Sequence, residues 1–547
     1  MTKRLFCLIL LMLLLVPALL GADKNDVAND PVLEAMRTEM ERSKANLKLE
    51  QLPTPFYIDY RVTDMNDLTA EAAFGALRSN NRTHARFLRV TVRVGDYKQD
   101  SFYRNGEGTT EYMPLDDDLI SMRHQIWLGT DKAYKAAAEA LTAKQAALKQ
   151  LNIEQPVDDF SHADPVQSIA QPAKLDVDER PWLRMIEKAS AIYTSDPQIE
   201  GIDAQVHFEA ITKYFMNSEG SVVRSGYNIY SAYLGLVTQA KDGMRLDRSH
   251  QYTVADLKET PSEREYVAKA QELLATLKQL RDAPVVDEEY RGPVLFSADA
   301  ASEVFAAYVG ENVLGLKPQL GQPARTRGAW GTSYKTRVLP DFISVVDDPT
   351  VSSIAGHSLL GHYEVDDEGV KASKVDVVEN GKLMNYVLGR EPIRDFPTSN
   401  GHGRARVPAN SPGPSLGNLI VSSSEAVSPD DLKKKLIEIC QQRELPYGYY
   451  VETLGPRMTP RLLYKIYVKD GHQELVRGAV FGDLDLRAVR NDVVAAGNDV
   501  SVLNLVLNIP HSIVNPSILF DELQVKRANT NNEKLPEYPA PPVSAGK

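Results

Sequence analysis

Cysteine is almost absent from this chain: two in 547 residues, Cys7 and Cys440. Cys7 lies in the N-terminal apolar run, so once that run is removed Cys440 stands alone. A lone cysteine excludes an internal disulfide and a cysteine-rich zinc site. Cys440 sits in KKKLIEICQQRE, an amphipathic helical pattern, and reads as a small buried hydrophobe. Positive charge is also scarce. Lys and Arg number 62 against 74 Asp and Glu, a formal net charge of −12, and the basic residues cluster only at Lys433 to Lys435. That distribution argues against a nucleic-acid partner. Long apolar runs are missing after the first one, Leu5 to Leu20, so nothing later reads as membrane-spanning.

The first run has the form of a secretory signal. Lys3 and Arg4 precede it, Pro17 interrupts it, and Gly21-Ala22 offers a small-residue exit. Cleavage after Ala22 predicts a periplasmic or secreted protein; an uncleaved N-terminal anchor is the alternative. No cysteine follows the run, so a bacterial lipid anchor is not expected. The mature chain of about 525 residues calls for two to four domains.

Periodicity divides the chain. Asp30 to Leu49 has helical spacing, and FYIDYRV (Phe56 to Val62) and Arg86 to Asp100 alternate as strands. Lys132 to Leu151, rich in Ala, Lys and Glu, predicts an exposed helix. Trp182 to Tyr193 and Pro261 to Arg281 predict two more helices, on either side of a β-meander over 202–216 and 221–241. A second unit opens with a short strand, Val294 to Phe296, and a helix from about Asp299 that Ser297 or Asp299 could cap. The expected units are a signal peptide (1–22), an N-terminal α+β domain (23–290) and a C-terminal β-rich domain (291–528). A Pro-rich disordered tail (529–547) ends the chain.

Chemistry-bearing residues concentrate in Val351 to Arg406. Three of the ten histidines lie there, His357, His362 and His402, beside the acidic run Glu364, Asp366, Asp367 and Glu368. These residue types could hold a metal or do acid/base work. The plain reading is turn chemistry, DDEG (366–369) and ENGK (379–382). A metal site from the three histidines with Asp366 or Glu368 stays open, although His357 and His362 are five apart and not in helical i, i+4 spacing. Ser358 or Ser399 with His402 and Asp366 could imitate a triad, but no G-x-S-x-G elbow surrounds either serine. Arg404 and Arg406 could bind a peptide carboxylate or form a solvated basic turn.

The order of several words resembles the TldD/PmbA family, also called modulators of DNA gyrase. They are NSEG (217–220), KDGM (241–244), the Ala-Pro break at 283–284 and GPVLF (292–296). DDEG (366–369), ENGKLMNYVLGR (379–390), SNGHGR (399–404) and PSILFDEL (516–523) follow. The resemblance covers roughly 175–527. It implies an α+β fold, an N-terminal α/β unit followed by a C-terminal unit built on curved antiparallel sheet. It also implies two kinds of subunit, one a metallopeptidase with HExxxH on the helix after GPVLF and a later cysteine, the other its partner lacking them.

Laid on that helix, the family's first histidine falls on Ala306, its glutamate on Ala307 and its second histidine on Glu311. No cysteine follows Cys440. A methyl group has no lone pair for a metal and cannot act as a base. The resemblance therefore implies a subunit without its own metal, binding a peptide or a TldD-type partner in a homo- or hetero-oligomer. The expected cleft lies between the helix at 299–314 and the 351–406 cluster, with Ala306, Ala307, Glu311, His357, His362, Asp366, Glu368, His402 and Arg404 as its candidate residues. The alternatives are an active metallopeptidase with non-standard ligands and a structural envelope protein. The gyrase label does not transfer to an exported chain.

Overall fold

The computed structural model describes residues 30–50, 52–152, 157–406, 411–506, 509–529, 534–536 and 538. The expected signal peptide and most of the Pro-rich tail lie outside the described residues. No helix among the described residues is long and apolar enough to cross a membrane.

Four long strands dominate the N-terminal half: Pro55–Ala73, Ala76–Val94, Ile199–Asn217 and Val222–Gln239. Each neighbouring pair is antiparallel, and Arg245–Val254 adds to Val222–Gln239. Strands alternate their side chains between two faces. On one face Ile58, Tyr60 and Val62 pack under helices Pro31–Asn46 and Leu119–Leu151. Farther along the same face Leu68, Ala70 and Ala72 pack under helices Arg180–Ser190 and Glu263–Asp282. Leu273 and Leu277 of the last helix are fully enclosed, each contributing about 1.5–3 kcal/mol by burial. Ser262 and Glu265 close that helix's N-terminus as a reciprocal capping box.

Two expectations change here. The helix expected to be exposed starts thirteen residues earlier, at Leu119, and buries Ala133, Tyr134, Ala137 and Leu141. Its small residues let it lie close on the sheet; a Cβ at Gly129 would come within 3.0 Å of Val90. The strand expected over 86–100 runs from Ala76 to Val94 and stops at Gly95, whose φ of 95° breaks the extended course.

The C-terminal half holds two larger sheets. One has six strands, with Ile343–Asp347 between Val375–Glu379 and Asn418–Ser423. The other has seven and carries GPVLF in strand Tyr290–Phe296. Ile518–Arg527 pairs antiparallel with that strand, Phe520 opposite Val294, so GPVLF and SILF are neighbours in one sheet. Most pairs are antiparallel, but Tyr447–Gly455 runs parallel to Tyr290–Phe296, and Asn418–Ser423 runs parallel to His511–Asn515. Helix Ala298–Tyr308 packs against strands of both sheets through Ala300, Ala301, Val304 and Phe305. Cys440 lies on the buried face of helix Pro429–Gln442 with Leu432 and Leu436, and burial pushes its thiol up to about 11. It is the packed hydrophobe that its spacing implied.

Candidate functional site between the sheet and the C-terminal loops

Ser297 caps helix Ala298–Tyr308, its hydroxyl accepting from Ala300 N–H (3.0 Å) and donating to the Glu452 carbonyl (2.7 Å). Ala306 packs against the core and Ala307 is half-buried. Glu311 lies beyond the helix, exposed on the 3-10 turn Gly310–Asn312. The family's divalent metal would need about three protein donors here. Ala306 and Ala307 supply none, so these residues do not fit the group.

The three histidines sit in three different settings. His357 is exposed in the two-residue hairpin strand His357–Ser358. The His362 Nδ1 lies 2.9 Å from the Pro349 carbonyl. His402 is wholly buried, with Nε2 3.0 Å from Asp347 Oδ1 and Nδ1 3.1 Å from both oxygens of Asn400. Both its nitrogens are thus occupied. Among the described residues, the one grouping of three His, Cys, Asp or Glu donor atoms within 4.8 Å of one another is Asp67, His207 and Glu209, on the N-terminal sheet. The serines are engaged elsewhere as well: Ser358 Oγ accepts from Ala255 N–H, and Ser399 Oγ donates to the Leu388 carbonyl.

DDEG is a turn, as its composition suggests, but its acids point inward. Asp366 Oδ1 accepts from the N–H groups of Glu368 (2.9 Å) and Val370 (2.8 Å), and Oδ2 accepts from Gly403 N–H (2.8 Å). Glu368 Oε2 accepts from Arg390 N–H at 2.6 Å. Burial and the neighbouring Glu368 charge hold the Asp366 carboxyl well above the usual carboxylate range. Burial likewise raises Glu368, against the pull of Arg390. Asp367 goes the other way: burial would raise it, but Lys213 at 2.9 Å and the Ala405 N–H outweigh that. The glycines in these words have a steric reason. A Cβ at Gly403 would sit 2.0 Å from Glu368 Oε2, and one at Gly389 2.6 Å from it.

The words that looked separate in sequence meet in space. Glu219 of NSEG takes both guanidinium arms of Arg390, the last residue of ENGKLMNYVLGR, at 2.6 and 2.8 Å. The Arg390 side chain also donates to the Ser161 carbonyl and stacks 4.0 Å from the Phe160 ring. Asp242 of KDGM pairs with Arg477 at 3.0 Å, and Arg477 Nε donates to the carbonyl of Ala283 at the Ala-Pro break. Most of these words are the joints between the N-terminal sheet and the C-terminal loops.

Beside these joints lies a cavity of about 280 Å³. Lys213, Ser225 and Tyr227 line it from the sheet; Leu360, His362, Tyr363, Asp366 and Arg404 line it from the loops. The Tyr227 hydroxyl is buried without a hydrogen-bond partner. Arg404 is not a solvated basic turn. It is buried, donates to the carbonyls of Leu416 and Pro510, and stacks 4.7 Å from the Tyr363 ring. Of the nine candidate residues, His362, Asp366 and Arg404 line this cavity, while Ala306, Ala307 and Glu311 do not. Its opposite wall is the N-terminal sheet, not the helix. The sequence pattern passed over Lys213, Tyr227 and Tyr363; the first two were signalled only by the alternation of their strands, and Tyr363, in a loop, by nothing local.

The PmbA/TldA metallopeptidase C-terminal domain model matches residues 289–527. A metalloprotease of Methanocaldococcus jannaschii is 36% identical over 70 residues, a stretch that spans 13% of this chain and 14% of that relative. Three solved structures share the fold over 90% of this chain. A protein described as a modulator of DNA gyrase from Thermotoga maritima superposes with TM-score 0.58 at 16% identity, over 99% of its length. TldE from Thermococcus kodakarensis gives 0.57 at 14% over its whole length. A second protein described as a modulator of DNA gyrase, from Bacteroides thetaiotaomicron, gives 0.57 at 12% over 98%. Residues 289–527 are thus a C-terminal domain of the PmbA/TldA metallopeptidase family, and the chain as a whole has the fold of the TldE and gyrase-modulator structures.

Proposed function

We propose that this chain is an exported, non-catalytic member of the TldD/PmbA family that binds a peptide in the cavity between its sheet and its C-terminal loops. A TldD-type subunit carrying HExxxH is its expected partner. The observation that carries the reading is the pair Ala306 and Ala307, methyl groups at the positions where a metallopeptidase needs a ligand and a base. Glu311, a single exposed carboxylate past the helix end, does not replace them.

The cavity suits a peptide. Its volume is just under the range of about 300–1,000 Å³ for small-molecule sites, enough for one or two side chains. Leu360 and Tyr363 give it apolar and aromatic wall, and the unpartnered Tyr227 hydroxyl can bond a peptide carbonyl or amide. Limited proteolysis with and without a mixture of short peptides tests the reading. Peptide binding protects the 351–406 loops from cleavage. A purely structural role gives the same fragments at the same rate in both. Sequencing the N-terminus of the exported protein tests cleavage after Ala22.

A further inference from the structure

The face of the N-terminal sheet that carries Lys213 continues past the cavity to a second group of polar side chains. Asp67 and Glu209 stand directly opposite each other on strands Pro55–Ala73 and Ile199–Asn217. His207 lies two residues before Glu209 and so on the same face. A donor atom of each lies within 4.8 Å of the other two. The His207 ring nitrogen is 3.8 Å from Glu209, too far for a hydrogen bond. Thr83, opposite Asp67 on the next strand, donates to Asp67 Oδ2 at 3.1 Å, while Oδ1 is buried with no hydrogen-bond partner.

Two like charges directly opposite in a sheet destabilise it, and a buried carboxylate oxygen without a partner adds to the cost. Protonating the imidazole would balance one of the two negative charges. A divalent cation would balance both and also occupy the unpartnered oxygen.

We propose that Asp67, His207 and Glu209 bind one divalent cation of the zinc class and clamp the two central strands together. One nitrogen and two oxygen donors suit a borderline ion with three protein ligands and one position open to water; calcium would require six to eight oxygens. The ion reaches the site from solvent, since the His207 side chain is 47% exposed. Thr83 orients Asp67 through its second oxygen. The site lies roughly 13 Å along the strand from Lys213 and is independent of the peptide cavity and of the family's helix.

Zinc titration of the EDTA-stripped protein, followed by calorimetry, tests the proposal. One ion binds per chain. Loss of a residue that merely orients a ligand weakens metal binding about 10- to 100-fold, so His207→Ala weakens it at least about 100-fold and Thr83→Val about 10-fold. Zinc raises the melting temperature of the unaltered protein and leaves that of His207→Ala unmoved. Thr83→Val, an exposed hydroxyl-to-methyl change, keeps the test decisive where the histidine variant folds poorly. Absence of stoichiometric zinc binding overturns the proposal, and so does equal binding by His207→Ala and the unaltered protein.

Discussion

Glu219 and Arg390, 171 residues apart in sequence, form a bidentate ion pair at 2.6 and 2.8 Å that locks the N-terminal sheet to the C-terminal loops. Arg390 has no solvent exposure and Glu219 very little. Removing one member of a buried pair strands the other's charge, at a cost of about 3–5 kcal/mol. Arg390→Met is therefore expected to lower the urea midpoint sharply. Arg390→Lys recovers only part, because an ammonium cannot grip both carboxylate oxygens and the Ser161 carbonyl at once. Urea unfolding of both variants measures this.

His402→Ala removes the partner of a fully buried carboxylate, Asp347, whose Oδ1 retains the Gly417 N–H while Oδ2 already lacks a partner. The expected loss is about 1–3 kcal/mol, with zinc binding unchanged, since neither histidine nitrogen is free. Calorimetry and urea unfolding on the same sample separate the two effects.

Glu391 governs a pH effect. Burial pushes its carboxyl up to about 7, against the pull of Arg93 and Lys317. An acid raised on folding costs stability as pH climbs from its unfolded value, near 4.5, through its folded one. Glu391→Gln is expected to stabilise the protein by about 1–3 kcal/mol at pH 8 and to change nothing near pH 4. Urea midpoints across that window check the sign.

Ser225 lines the cavity from the strand paired with Ile199–Asn217 and is only partly buried. Ser225→Trp fills the space with an indole. Peptide affinity is expected to fall at least about tenfold, the effect of some 1.4 kcal/mol, with little change in melting temperature. Fluorescence anisotropy of labelled peptides, beside a thermal melt, reads both.

The fold was legible where pattern and order agreed. Tyr266, Leu273 and Leu277 announced their helix by spacing, and GPVLF and PSILF announced two strands that pair in one sheet. The extent of the long strands was hidden. Their outer halves, such as Ser79 to Thr83, are polar and solvent-facing, and only hydrogen bonding to neighbouring strands keeps them extended. The site was half legible. DDEG and ENGK read correctly as turns, and Asn380 and Gly381 both take the positive φ that a tight hairpin needs. That Asp366, Asp367 and Glu368 would face inward depended on Lys213, Arg390 and Gly403, all distant in sequence. No local pattern carries that information. The convergence of Asp67 with His207 and Glu209, the first two 140 positions apart, depended on strand register, and it left no mark in either stretch.

In the proposed function, Ala306 and Ala307 leave the helix after GPVLF without a metal ligand or a base. Incubating the purified protein with a mixed peptide library and excess zinc, followed by mass spectrometry, is the decisive check. The expected result is an intact library at every time point, with and without zinc. Zinc-dependent cleavage that a chelator stops would show that the protein is a working metallopeptidase.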